Sequence, residues 1–178
     1  DEGELVMPVD GPNGPEMPKG IPRPEGRDYT PRFFYEDRNE LTIDFVIHGD
    51  GIATRWAENA RPGATVGVGG PRGSFVVKGD ADCWLLVGDE TALPAIGRRI
   101  EELPETAKIL AFIETIDEKE QQSFDTGADL TVNWIVREPG KPGQALAKAV
   151  ERALLPASTG YAFIAGEASM SKRLRQHL

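Results

Sequence analysis

Cys83-Trp84-Leu85-Leu86-Val87-Gly88-Asp89-Glu90-Thr91-Ala92-Leu93-Pro94-Ala95 is the stretch that decides the fold. Residues 83–87 are continuously apolar, the pattern of a strand buried on both faces of a parallel sheet; a half-exposed strand would alternate with polar residues. Gly88 and two carboxylates break the run. Behind Pro94, whose missing N–H is tolerated in the first turn of a helix, Leu93, Ile96, Ile100 and Leu103 recur at helical spacing. Strand, tight turn and helix in this order open a βαβ unit.

The rhythm continues downstream. Largely apolar stretches at 109–113, 130–135 and 161–165 supply three further strands, and Leu146, Val150 and Leu154 mark a second helix. Residues 80–178 are therefore expected to form a doubly wound α/β domain that binds its ligand outside the C-terminal strand ends. The turn at 88–91 lies there. It is not a G-x-G-x-x-G cradle, and Asp89 beside Glu90 would repel a pyrophosphate, so the uncharged or cationic end of a nicotinamide nucleotide is the better tenant. Either carboxylate also reads as a favourable charge at the helix start, as do Glu167 and Ser169 before the last helix. At the next strand ends, Glu114 suits a ribose diol and Arg137 a 2′-phosphate, and both also read as solvated strand-end charges.

Upstream, Leu41, Ile43, Phe45 and Ile47 alternate with Thr42, Asp44, Val46 and His48. With 33–36, 65–68 and 74–77 they predict antiparallel strands with one apolar face, and Gly69-Gly70-Pro71-Arg72-Gly73 supplies a turn between the last two. Seven prolines between Pro8 and Pro31 argue for a long extended loop. The two patterns divide the chain into domains at 1–79 and 80–178.

Two upstream segments carry ligand chemistry. In Arg27-Asp28-Tyr29-Thr30-Pro31-Arg32, period-two geometry sends Tyr29 and Pro31 to one side and Asp28, Thr30 and Arg32 to the other. A phenol ring, a hydroxyl and a cation on one extended stretch suit a flat, phosphate-bearing cofactor such as a flavin dinucleotide. The same residues equally describe an ordinary strand start. In His48-Gly49-Asp50-Gly51-Ile52-Ala53-Thr54-Arg55-Trp56-Ala57, a glycine turn opens a short helix that Pro62-Gly63 ends, and small residues let backbone N–H groups approach an anion. A plain turn before a helix has the same signature.

Together with Gly70-Pro71-Arg72-Gly73, the Gly88-Asp89-Glu90-Thr91-Ala92-Leu93-Pro94-Ala95 string and Ala165-Gly166-Glu167-Ala168, these segments resemble the siderophore-interacting protein family, flavin-dependent ferric-siderophore reductases related distantly to ferredoxin reductases. The resemblance implies a flavin-binding antiparallel barrel followed by a parallel-sheet, nicotinamide-binding α/β domain. Too few residues precede Arg27 for the barrel's opening strands, and Leu178 falls inside a helical pattern, so an incomplete barrel and a missing C-terminal end are expected. By resemblance, FAD is held by Arg27, Tyr29, Thr30, Val46, His48, Gly51, Ala53 and Thr54. Asp89, Glu90, Thr91 and Glu167 flank the nicotinamide. NADH, NADPH or a ferredoxin supplies electrons, and a ferric siderophore is the substrate, with Arg32 and Arg38 as candidate docking cations beside Lys19 and Arg23. Exposed basic residues are also common without such a role. The family places a lysine where Glu4 stands, which leaves the siderophore class open. No single residue is assigned as catalytic. A general flavin reductase with a protein acceptor and a non-catalytic flavin-fold module are the other readings.

Composition narrows the partners. A net charge of -9 and pI near 4.8 argue against nucleic acid or an anionic membrane surface. No apolar run approaches a membrane span, and no signal peptide is visible. Cys83, the sole cysteine, has no disulfide partner and reads as a structural thiol in a reducing cytoplasm. His48 and His177 lack companions at metal-ligand spacing, and neither a nucleophile elbow nor a Cys–His pair supports hydrolysis.

Overall fold

A computed structural model describes the 178-residue chain except for residues 1–4, 13, 48, 72, 74–76, 78–80 and 157–159. The chain divides into two compact units, one of Asp1–Asp28 with Ile47–Lys78 and one of Tyr29–Val46 with Gly79–Leu178. The first carries a short antiparallel pair, β1 (Val9–Gly11) with β2 (Gly14–Glu16), and helix α1 (Ile52–Asn59). The second begins with an antiparallel pair, β3 (Phe33–Tyr35) with β4 (Glu40–Thr42), and continues with β5 (Cys83–Asp89), α2 (Leu93–Glu102), β6 (Lys108–Thr115), β7 (Asp129–Val136), α3 (Gln144–Arg152), β8 (Gly160–Ala165) and α4 (Ala168–His177).

Strands β5 to β8 form one parallel sheet in the order β7-β6-β5-β8. The chain moves outward from β5 to β6 to β7, then α3 returns it across the sheet to β8 on the far side of β5. That reversal makes the C-terminal ends of β5 and β8 a topological switch point, where an open α/β sheet leaves a crevice. Both faces of β5 are covered, as its unbroken apolar run requires. Leu85 and Val87 face Phe112 of β6, Leu146, Ala147 and Val150 of α3, and Met170 and Leu174 of α4. Trp84, Leu86 and Gly88 alternate to the opposite face, where α2 packs with Ile96 and Ile100 fully buried.

Several expectations change. The proline-rich stretch holds the β1–β2 pair, while 65–68 forms no strand and Val66 and Val68 stand exposed. Alternating residues favour a pleated surface, but a strand also needs a partner for its hydrogen bonds, and among the described residues 65–68 has none. Most of the expected strand 74–77 lies outside the described residues, and β4 ends at Thr42, with 43–47 assigned to no strand among the described residues. Two short antiparallel pairs thus represent the expected barrel among the described residues. Residues 29–46 pack with the α/β unit. Leu103 caps α2 in an extended conformation because Pro104 follows it, and α3 stops at Arg152, leaving Leu154 98% exposed ahead of Pro156.

Gly88 sets the distance between β5 and α2. A Cβ there would lie 2.6 Å from the Ala92 Cβ and 2.9 Å from both the Ile96 Cδ1 and the Ala165 carbonyl oxygen. Gly88→Ala is expected to lower unfolding stability by about 1–3 kcal/mol through overpacking, read as a fall in the denaturant midpoint; an unchanged midpoint would show that α2 shifts without cost.

Candidate functional site

The switch-point crevice is built by two turns. After β5, the Asp89 carboxylate accepts from the Thr91 backbone N–H at 3.0 Å and from the Thr91 hydroxyl at 2.5 Å, which folds 89–91 into a tight polar loop. After β8, Gly166 adopts φ +137°, and a Cβ on it would come within 2.7 Å of Asp89 Oδ2. Only glycine takes that backbone conformation readily and admits the carboxylate so close. Glu167 then caps α4, accepting from the Met170 N–H at 2.8 Å and the Ser169 hydroxyl at 2.5 Å. These bonds, the Ser169 hydroxyl foremost, hold its carboxyl below the usual carboxylate range. Asp89 and Gly166 therefore meet at the switch point, with Thr91 exposed beside Asp89 and Glu167 next in the chain after Gly166. Acceptor-rich and acidic, the rim suits an uncharged or cationic ring bearing an amide and disfavours phosphate.

Glu90 is placed elsewhere. Only 7% exposed, it makes a two-pronged pair with Arg137, at 2.8 and 2.5 Å. Arg137 Nε also donates to Glu114 Oε1 at 2.8 Å, and that oxygen accepts the Gly143 N–H at 2.8 Å at the start of α3. Glu114 is fully buried, and its Oε2 has no partner among the described residues. Although burial works against its charge, the bonds to Glu114 and Glu90 raise the Arg137 pKa above its ordinary value. The expected ribose ligand and the expected 2′-phosphate ligand are thus bonded to each other. The network fastens the ends of β5, β6 and β7 together.

The expected flavin residues fall on both units. In the first, Arg27 is exposed, with Nη1 donating to the Gly26 carbonyl at 2.8 Å. Gly51 is an extended N-cap that leaves the start of α1 without a side-chain cap or an acidic residue in the first turn; Ala53 is half-buried and Thr54 buried. An uncapped, non-acidic helix start and, in the same unit, an exposed guanidinium are groups of the right sign for a pyrophosphate. In the second unit, Tyr29 is 37% exposed with its ring centroid 4.5 Å from that of Phe45, and Thr30 and Val46 are half-buried. A propped, partly open aromatic ring suits an isoalloxazine face. His48 lies outside the described residues.

Arg32, expected as a docking cation, is 6% exposed and bonded to Glu101 of α2. The Arg32 guanidinium holds the Glu101 carboxyl below the usual carboxylate range, against the opposing effect of burial. Arg32 is therefore withdrawn from substrate docking. Arg38 stays on the surface, 3.0 Å from Glu40 and over the Tyr35 ring at 4.3 Å. The role of Glu101 escaped the sequence reading, yet one signal pointed to it: Gly97 interrupts a helix, which marks a close approach. A Cβ at Gly97 would lie 3.0 Å from Arg32 Nη2. Among the described residues no group of three or more His, Cys, Asp or Glu could hold a metal, and no helix is long and apolar enough to cross a membrane.

Two family models match the chain, the siderophore-interacting FAD-binding domain over residues 3–75 and the siderophore-interacting protein over 81–178. The NADPH-dependent ferric-chelate reductase of Escherichia coli (strain K12) is 35% identical over 176 residues, covering 97% of this chain and 67% of that protein. Ferric vibriobactin reductase ViuB of Vibrio cholerae is 36% identical over 148 residues, 82% of this chain and 55% of that one. Among solved structures, a siderophore utilization protein from T. fusca superposes with a TM-score of 0.84 at 40% identity, over 96% of this chain and 66% of that chain. The siderophore-interacting protein SipS from Aeromonas hydrophila gives 0.77 at 28% identity, over 97% and 73%. The chain spans between about half and two thirds of the length of these two curated relatives.

Removing Arg137 would leave Glu114 buried without its counter-charge. Arg137→Met is expected to cost about 3–5 kcal/mol of stability, seen in denaturant unfolding. A loss below about 1 kcal/mol would mean that the strand ends do not depend on the network.

Proposed function

Because the chain belongs to the siderophore-interacting protein family, we propose that it is part of a flavoprotein that binds FAD, takes electrons from NADH or NADPH and reduces a ferric siderophore, releasing ferrous iron. The observation that carries this reading is that Tyr29 and Thr30 belong to the same compact unit as the Asp89–Thr91–Gly166 crevice. The printed names of the Escherichia coli and Vibrio cholerae relatives, ferric-chelate and ferric vibriobactin reductases, support the choice of acceptor.

Each residue has a defined task. Within the second unit Tyr29 would cover an isoalloxazine ring and Thr30 bond its polar edge; within the first, Arg27 and the N–H groups at Gly51, Ala53 and Thr54 would suit a pyrophosphate. Asp89 shapes the loop that presents the Thr91 hydroxyl, and Gly166 with Glu167 closes the other side around the nicotinamide. Glu90 supports this turn through Arg137. Bound FAD supplies the conversion between a two-electron hydride donor and ferric iron, which accepts one electron at a time. Iron(III) held by hard oxygen ligands loses affinity on reduction, so release needs no iron ligand from the protein. Arg38, Lys19 and Arg23 remain candidates for attracting an anionic chelate, since an exposed local cation acts within a Debye length of about 8 Å even on an acidic chain.

Electron-donor choice is not set by Glu114 or Arg137 in this reading, because each is already bonded to the other. A ferredoxin stands as the alternative donor, distinguished by whether NAD(P)H alone reduces the flavin.

The purified protein is expected to carry or take up FAD. Tyr29→Ala should weaken binding by about 1 kcal/mol beyond lost area, and Arg27→Ala by about 1.5–3 kcal/mol, both measured by fluorescence titration. A wild-type protein that stays colourless after incubation with FAD would sink the proposal.

A further inference from the structure

Arg32 is held on every side. Nη1 and Nη2 donate to the two oxygens of Glu101 at 2.5 and 2.9 Å, Nε faces Asp44 at 3.9 Å, and the guanidinium lies 4.1 Å from the Phe33 ring centroid. Its backbone N–H donates to the Thr42 carbonyl at 2.8 Å. One residue earlier, the Pro31 carbonyl accepts from Arg98 Nη1 at 3.0 Å. On α2, Arg98 thus holds the Pro31 carbonyl and Glu101 the Arg32 guanidinium, with Gly97 leaving room for it, so the helix fastens the two residues that immediately follow Tyr29 and Thr30. The absent Cβ of Gly97 makes room for the guanidinium and for Phe124, while Glu101 Oε1 also accepts the Asp125 N–H at 3.3 Å.

The other end of α2 starts directly after the Asp89–Thr91 turn. The helix is ten residues long, about 15 Å, and Ile96 and Ile100 seat it fully buried on the sheet. It is a rigid rod with the nicotinamide turn at its start and the Tyr29–Thr30 segment fastened near its end. A buried ion pair is a poor source of net stability because desolvation offsets much of its attraction. A two-pronged arginine–carboxylate pair does fix orientation, in a way that a point-charge lysine or an apolar contact cannot.

We propose that Arg32 and Glu101 are positioning residues, a clamp that sets Tyr29 and Thr30 on the same helix as the Asp89–Thr91 turn and so couples flavin binding to hydride transfer. This rests on the functional reading above for the identity of the two ligands, but the clamp itself is a property of the protein without them. Neither residue touches substrate in this account. Loss of the clamp lets the aromatic segment move relative to the crevice while the sheet stays folded.

The test uses the whole protein and compares wild type with Glu101→Gln, the double charge swap Arg32→Glu with Glu101→Arg, and Glu151→Gln as control. Glu151 makes a bidentate pair with Arg173 between α3 and α4, so its loss reports what breaking an unrelated ion pair does. Arg32→Lys, which keeps the charge and loses the fork, is the milder variant should Glu101→Gln fail to fold. Amide hydrogen exchange over residues 29–35 is measured with no nucleotide added; FAD affinity follows by titration, and then the single-turnover rate of flavin bleaching by NADPH at saturating FAD. Glu101→Gln is expected to speed exchange in 29–35 and to lower both affinity and bleaching rate by about tenfold or more. The swap recovers part of each, and Glu151→Gln changes none. Unaltered exchange in Glu101→Gln, or a bleaching rate at saturating FAD equal to wild type, overturns the coupling. A wild type that takes up no FAD contradicts the flavin reading instead, and the exchange measurement then still decides whether the clamp exists.

Discussion

Strand β5 is bonded to a neighbour along both edges and covered on both faces, and the rest of the second unit is arranged to meet those four demands. β6 and β8 satisfy its backbone; α2 takes one face, and α3 with α4 takes the other. Burial of Leu86 and Val87 to zero exposure leaves no room for a polar side chain within the strand. Polar chemistry is therefore confined to its C-terminal end, where Gly88 admits α2 and Asp89 turns back on Thr91. Strand order then does the rest: because β8 arrives on the opposite side from β6, Gly166 and Glu167 face that turn across a crevice instead of covering it.

Charges at this edge divide into two kinds by burial. Asp89 and Glu167 bond to nearby hydroxyls and amides and remain at the crevice. Glu90, Glu114 and Arg137 are drawn inside and spend their charge on one another, joining three strand ends and the start of α3. Arg32 and Glu101 repeat the second arrangement on the outer side of α2. Among the described residues the buried carboxylates Glu90 and Glu114 are thus paired with arginine, while the hydrogen-bonded Asp89 and Glu167 stay at the ends of β5 and β8.

The α/β half was legible in the sequence because its signals are local. Apolar runs located the central strands β5 and β6, whose burial on both faces admits little alternation, and the spacing of Leu93, Ile96 and Ile100 located α2; at the sheet edges β7 alternates, with Thr131 and Asn133 between Leu130, Val132 and Trp134, and β8 is only partly buried. Alternation at 65–68 misled, because whether such a segment becomes a strand is decided by a partner elsewhere in the chain. The ion pairs were illegible for the same reason: Arg32 lies 69 residues from Glu101, and Glu90 lies 47 from Arg137. A strand-end charge looks alike whether it meets solvent, a ribose or another side chain. Only Gly97, unfavourable in a helix interior unless something needs the space, announced one of these contacts.

The proposed electron transfer from a nicotinamide through this protein to chelated iron is decided by anaerobic mixing of the FAD-loaded protein with NADPH and a ferric siderophore in the presence of a ferrous-specific chromogenic chelator. Flavin bleaching is expected to precede the coloured ferrous complex, and up to two ferrous ions to appear for each NADPH oxidised, since a hydride carries two electrons and each ferric ion takes one. Oxidation of NADPH that resumes only when oxygen or a protein acceptor is admitted, with no ferrous iron formed from any chelate, would contradict it.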